Sequence, residues 1–227
     1  HPRCNGVSWA RRCVSETGYG YGFTKDCALF IYLSWGTDYQ VPEKSFNAFA
    51  HYVLDFQQWT IWGREFDYNT IGRSVSRPNS DAKQIYPAIR RLCQVEIPRK
   101  KEFDALVARM GAKKSQPQDL VGNLHAWRSD YMVHRRAKFM TVSKMYSTRM
   151  INTDGAHNGE GWKSHHISDG SNFWYVDGNE YRNIFPVWKW RHIPGTTVEM
   201  KPTPIKREGM TRNGKSDFVG GVSDGKN

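Results

Sequence analysis

From Cys27 to about Gln118, apolar side chains recur at intervals of three and four. In "VPEKSFNAFAHYVLDFQQW", Phe46, Phe49, Ala50, Val53 and Phe56 form one stripe, the spacing that buries one face of a helix. Pro42 with Glu43 suits a first helical turn. The same rhythm predicts helices over Asp81–Gln94 and Lys101–Met110, the second ending at Gly111, with Pro98 between them. Past "KKSQPQD" the period shortens to two. Met140, Val142, Lys144 and Tyr146 alternate with Phe139, Thr141, Ser143 and Met145, which predicts a strand. "SNFWYV", "NIFPVWKW" and "SDFVGGV", each bounded by Gly, Asp, Asn or Pro, read as further strands of antiparallel sheets. The boundary between helices and sheet is expected at residues 115–122. The chain closes on "GGVSDGKN", inside a strand-and-turn pattern, so it is expected to stop within the second domain.

The length of 227 residues suits one large or two small domains. The first residue is His1, no leader pattern opens the chain, and no apolar run approaches the ~18 residues of a membrane span. The expectation is a soluble chain, either processed or partial. Lysine and arginine exceed aspartate and glutamate by 11, which favours a polyanionic partner: nucleic acid, anionic lipid or acidic polysaccharide. A nucleic-acid binder would concentrate its cations on a helix or arm. Here they are scattered, apart from short groups such as Arg99-Lys100-Lys101 and His134-Arg135-Arg136, which read as solvated faces. Nine Trp, eleven Tyr and eleven Phe can fill a core or stack on sugar rings or bases. Cys4, Cys13, Cys27 and Cys93 have no metal-ligand spacing, and Cys27 sits in an apolar run as a buried thiol would. His165-His166 lacks helical i, i+4 spacing, so no metal site is expected.

Four stretches carry candidate chemistry. "TGYGYGFTKD" sets Tyr19 and Tyr21 among glycines ahead of "CALFIYLSW" and reads as a loop entering a helix. In "GRSVSR", Arg73 and Arg77 are four residues apart, able to clamp one anion if that segment is helical, or to act as surface ion-pairing groups. "NTDGAHNGEGW", Asn152 to Trp162, is a polar Gly-rich loop that could equally be a hairpin connection. "NIFPVWKWRHIPGTT" carries two prolines, suggesting an edge or a rigid wall.

Taken in order, these stretches resemble polysaccharide lyase family 8, the hyaluronate, chondroitin AC and xanthan lyases. The resemblance rests on Tyr19-Gly-x-x-Phe23 and Gly72-Arg-Ser-x-Ser-Arg77. It continues through "DYMVHRR" with "YSTRM" and "NGEGW" followed by "SDG", and ends on "PVWKWRHIPGTT" followed by "FVGGVSDG". It covers residues 17–227. It implies an α+β multidomain fold: the C-terminal part of an incomplete α/α toroid (17–118, after an unmatched segment 1–16), then the start of an antiparallel β-sandwich, or super-sandwich, domain (119–227). It also implies β-elimination on a uronate-containing polysaccharide. Tyr19 matches the family's catalytic tyrosine, and the glycines around it would let substrate approach closely. Arg73 and Arg77 match the arginines that bind the sugar acid and lower the phenol's pKa. Asn158 matches a substrate-binding asparagine. The orienting acid is expected three residues before it, where this chain has Gly155, so Asp154 serves if the loop carries one extra residue. Glu160 matches a motif glutamate at the substrate side of the loop, more structural than catalytic.

The chain departs from the family pattern at Ala10, where a catalytic histidine is expected nine residues before the tyrosine. Residues 1–16 are therefore expected to be a divergent or misassigned start on a partial lyase. The resemblance implies no cofactor, an acidic polysaccharide such as hyaluronan, chondroitin or xanthan as partner, no nucleic acid or membrane, a monomer, and secretion. A non-catalytic module binding acidic glycans is the alternative.

Overall fold

The computed structural model describes residues 18–78, 82–112, 116–153, 162–200 and 213–222, with the backbone alone at Tyr19, Arg73, Lys83 and Trp162. Cys4 and Cys13 lie outside the described residues.

Helices come first: α1 (Gly18–Ser34), α2 (Glu43–Leu54), α3 (Ile85–Leu92) and α4 (Lys100–Gly111). The stripe in α2 is Phe46, Phe49, Ala50, Val53 and Leu54, all buried, and Glu43 in its first turn faces the positive end of the helix dipole. Phe56 falls beyond the helix, ahead of the 3-10 turn Gln57–Thr60. Leu54 joins the stripe in its place. Ile85, Ala88, Ile89 and Leu92 of α3 and Phe103, Leu106 and Met110 of α4 complete one hydrophobic core with Ala28 and Ile31 of α1. Cys27 and Cys93 are half-buried free thiols against this core, so Cys27 is less enclosed than its apolar context suggests. The glycine-rich tyrosine stretch is helical from Gly18, not a loop. Its glycines are held because the buried Thr24 hydroxyl and the Gln57 amide both reach the Gly20 carbonyl, at 3.2 and 3.4 Å.

Between Gly111 and Gly122 the architecture changes from helices to strands. After the two-residue hairpin strands β1 (Ile61–Trp62) and β2 (Glu65–Phe66) comes an antiparallel sheet in the order β3-β4-β5-β6. Its strands are Gly122–Ala126, Tyr131–Arg136, Phe139–Lys144 and Ser171–Tyr175. Alternation is strict. Tyr131, Val133, Arg135, Met140, Val142, Lys144, Phe173 and Tyr175 point inward. They meet Trp62, Tyr68, Ile71 and Val75 from the helical half in a second core. The chain from Trp62 to Val75 thus packs with the sheet although it precedes two of the helices.

Three expected strands or surfaces differ. "NIFPVWKW" forms turns, not a strand. Pro186 cannot donate to a ladder, and Trp188 and Trp190 instead pack beneath the sheet on Phe173 and Tyr68. "SDFVGGV" forms no strand. The basic group at His134–Arg136 is split by the pleat: His134 and Arg136 lie on the outer face, while Arg135 turns inward, where it is 1% exposed. There its guanidinium donates to the Ile61 carbonyl at 2.6 Å and to Gln118 Oε1 at 2.6 Å, and lies over the Trp62 ring. No helix among the described residues is long and apolar enough to cross a membrane.

Candidate active site

The turn that carries the arginines is suspended from the sheet by hydrogen bonds. Gly72–Ser76 is a 3-10 helix entered through Gly72 at φ +54°, a left-handed conformation that a side chain would strain. Tyr68 Oη donates to the Val75 carbonyl at 2.9 Å. The Tyr68 amide donates to Tyr175 Oη at 2.6 Å, and Tyr175 Oη donates to Asp67 Oδ1 at 2.8 Å. Asp67 is fully buried. Burial pushes its carboxyl up to about 7, against the opposing pull of hydrogen bonds from Tyr175 and Tyr131. One chain of bonds therefore runs from strand β6 to the carbonyl lying between Arg73 and Arg77.

With three residues per turn, a 3-10 helix sets positions four apart about 120° around its axis, so local helical geometry does not pair the two arginines as an α-turn would. Arg77 follows in extended conformation and is exposed. It lines a small open cleft with Glu65, Tyr181, Arg182 and Asn183.

Helix α1 packs directly against this arginine turn. Tyr19 lies in its first turn, whose neighbouring carbonyl, that of Gly20, is tied to Gln57. Gln57 is itself fixed by the Thr24 hydroxyl at 2.7 Å. The elements bearing Tyr19, Arg73 and Arg77 are thus adjacent. The side chains of Tyr19 and Arg73, and all of Asp154, Asn158 and Glu160, lie outside the described residues.

The stem of the loop that holds Asp154, Asn158 and Glu160 is clamped on both sides. The Thr153 and Ser164 hydroxyls are 2.8 Å apart, Asn152 Nδ2 donates to the His165 carbonyl at 3.2 Å, and Ser168 Oγ donates to the Asn152 carbonyl at 2.5 Å. Ser171, fully buried at the start of β6, reaches Asn69 Oδ1 at 2.7 Å and the Ile167 carbonyl at 2.5 Å. The next residue, Asn172, donates its amide to the Pro194 carbonyl at 2.8 Å. The Tyr68–Thr70 turn that precedes the arginine turn, the loop stem with its Ser168-Asp169-Gly170, and Pro194-Gly195 therefore meet at the Ser171 end of β6, whereas the arginine turn itself is tied to Tyr175 at the other end.

Two other stretches behind the resemblance act structurally. Asp130 of "DYMVHRR", at 0% exposure, accepts from the Ser147 amide at 2.9 Å and from its hydroxyl at 2.5 Å. Arg149 of "YSTRM" donates to it through Nε at 2.9 Å and Nη2 at 2.5 Å. Sequence reasoning missed Asp67, Asn69, Ser171 and Tyr175, whose partners lie more than a hundred residues away. The one available signal was an acid in "FDYNT", a stretch of neither helical nor alternating pattern.

Burial pushes the phenols of Tyr52, Tyr68, Tyr175 and Tyr181 up, so none of these four is suited to losing its proton at neutral pH. The turn that carries the arginines is thus braced against both a helix start and a sheet edge.

Residues 121–227 match the family described as polysaccharide lyase family 8, super-sandwich domain. The chain is 29% identical over 195 residues to chondroitinase-AC of Pedobacter heparinus, covering 83% of this chain and 27% of that protein. A solved chondroitinase AC lyase superposes with a TM-score of 0.76 at 25% identity, over 95% of this chain and 32% of that one. Paenibacillus xanthan lyase shares the fold at a TM-score of 0.73 and 21% identity, over 90% of this chain and 22% of that one. The chain spans about a quarter of the length of the curated relative. Over residues 121–227, and in the way its helices and sheet are arranged, the chain is similar to polysaccharide lyase family 8.

Proposed function

We propose that this chain is part of a lyase that cleaves an acidic, uronate-containing polysaccharide such as hyaluronan, chondroitin or xanthan by β-elimination. Residues 17–118 form a toroid portion carrying Tyr19, Arg73 and Arg77, and residues 119–227 a β-sandwich portion carrying the loop of Asp154, Asn158 and Glu160. The Tyr19 phenolate takes the C5 proton of the uronate, the C4–oxygen bond breaks as a C4–C5 double bond forms, and the phenol returns its proton to the departing oxygen. Arg73 and Arg77 lower the phenol's pKa and stabilise the enolate charge that develops on the carboxylate. Asn158 and Glu160 contribute to substrate binding from the β-domain loop, and Asp154 orients the catalytic group. A polymer of this kind cannot enter a cell intact, so the enzyme works outside it.

The observation that supports this reading is the packing of α1 on the arginine turn, which β6 supports from its far end through Tyr175 and Tyr68. The test is growth of ultraviolet absorbance from the conjugated unsaturated uronate. The complete product of the coding locus is incubated with hyaluronan, chondroitin sulfate and xanthan. Absorbance is expected to rise with one of them and to fall by at least about a thousandfold in rate with Tyr19→Phe, the combined loss of base and acid. Binding without absorbance growth in the unaltered protein, or full activity in Tyr19→Phe, overturns it.

A further inference from the structure

The inner face of the sheet is committed to the second core, which leaves the outer face to be explained. Its register aligns a single row across all four strands: Asn123 pairs with His134, His134 with Thr141, and Thr141 with Trp174. Strands lie about 4.8 Å apart, so this row is roughly 14 Å long, the length of a short oligosaccharide. Arg136 and Phe139 form the next rung. The Trp174 ring is 53% exposed and stacks on Phe139 at 5.6 Å and 27°. Phe139 in turn meets the His134 ring at 5.8 Å.

These rings are fixed in orientation. Trp174 Nε1 donates to Asn172 Oδ1 at 2.5 Å, Asn172 Nδ2 donates to Ser143 Oγ at 3.0 Å, and His134 Nδ1 lies 2.5 Å from Asn123 Oδ1. His134 is held below its usual range by partial burial and by the Arg136 cation nearby, which marks that charge as part of the same surface.

A face meant for another sheet or helix would carry aliphatic side chains between its rings. This one carries Asn123, Thr141, Ser143 and Asn172. Ring faces suit the C–H faces of sugars, amides and hydroxyls suit their hydroxyl groups, and Arg136 together with the overall +11 charge suits carboxylate or sulfate. Phe218 and the two following glycines cover the other end of the face, at His125 and Met132, and stop short of the row.

We propose that the outward row Asn123–His134–Thr141–Trp174, with Phe139 and Arg136, is a docking platform for an acidic polysaccharide, on the side of the sheet away from the arginine turn. It rests on the substrate class proposed above and not on the elimination chemistry. The platform holds the polymer while the reaction occurs elsewhere.

The test is affinity electrophoresis of the 227-residue chain through gels containing chondroitin sulfate or neutral dextran, with sedimentation run in parallel. Retardation by chondroitin sulfate but not dextran is expected. Trp174→Ala is expected to weaken it about tenfold, as loss of one stacking ring does, with an unchanged unfolding midpoint because the ring is exposed. Equal retardation of Trp174→Ala and unaltered chain overturns the proposal. So does equal retention by dextran, or a dimer that Trp174→Ala converts to monomer, which would make a second copy the occupant. Failure of the lyase reading would show separately, as retained binding without absorbance growth.

Discussion

Replacing Asp67 by Asn removes a buried titratable group while keeping the oxygen that accepts the Tyr175 hydroxyl at 2.8 Å. In the unfolded chain this carboxyl titrates near 3.9; in the fold it is pushed up to about 7 by burial. Between those values the folded protein holds a proton that the unfolded chain has released. The unfolding free energy therefore falls as pH rises, by about 1.4 kcal/mol per unit once the two states differ by a full proton. Below pH about 4 both states are protonated and the contribution is fully present. Above pH about 7 both are ionised and it is gone, a total of about 4 kcal/mol over the roughly three-unit gap. Lys144, whose charge acts on Asp67, and the Tyr131 and Tyr175 hydroxyls surround the group and stay as they are in Asp67→Asn. Subtracting the two proteins' stabilities therefore isolates the carboxyl. Urea unfolding followed by tryptophan fluorescence at pH 4.5, 5.5, 6.5 and 8 is expected to show the Asn variant gaining steadily on the unaltered chain. The gain should level off above about pH 7. Parallel stability curves from pH 4.5 to 8 would refute the argument, since they require Asp67 to have the same proton affinity folded and unfolded.

Asp130→Ala leaves the Ser147 amide and the Arg149 guanidinium without their shared acceptor, and is expected to lower stability by about 3 kcal/mol. Arg149 also holds the Val219 carbonyl, so proteolysis near residues 213–222 should accelerate; a loss under 1 kcal/mol contradicts the role. Gly195→Ala would set a Cβ 2.5 Å from the Gly170 carbonyl oxygen at φ +85°, and is expected to cost about 2–4 kcal/mol in urea unfolding. Gly22→Ala meets nothing within 4 Å inside α1 and is expected to stabilise by about 0.5–1 kcal/mol. The same sign for both glycines would refute the packing argument.

Periodicity found α2 and α4 nearly residue for residue, because each buries one stripe against neighbours of the same kind. It found β5 for the same reason: Met140, Val142 and Lys144 face inward as their alternation implies. It failed where tertiary contacts override local pattern. Arg135 looks solvated beside His134 and Arg136, yet the pleat sends it inward to backbone carbonyls at the edge of the helical half. "NIFPVWKW" has strand composition, but its rings find partners under the sheet before its backbone finds a ladder.

The candidate site was legible as stretches and not as a place. Nothing in "GRSVSR" says that its backbone is held by a tyrosine a hundred residues later, through Tyr68, Asp67 and Tyr175. Nor does "SDG" say that the serine after it will touch Asn69. Hydrogen bonds of this kind join groups whose separation along the chain carries no period, so no window of sequence registers them. They also explain why helix and sheet must fold together here. The arginine turn is too short to fix itself, and its position is set only once β6 lies beside it. A lyase whose cationic turn came from the helices alone could work without the sheet. In this chain the buried bonds from Tyr175 through Tyr68 to Val75 make the sheet part of the arginine turn's own support.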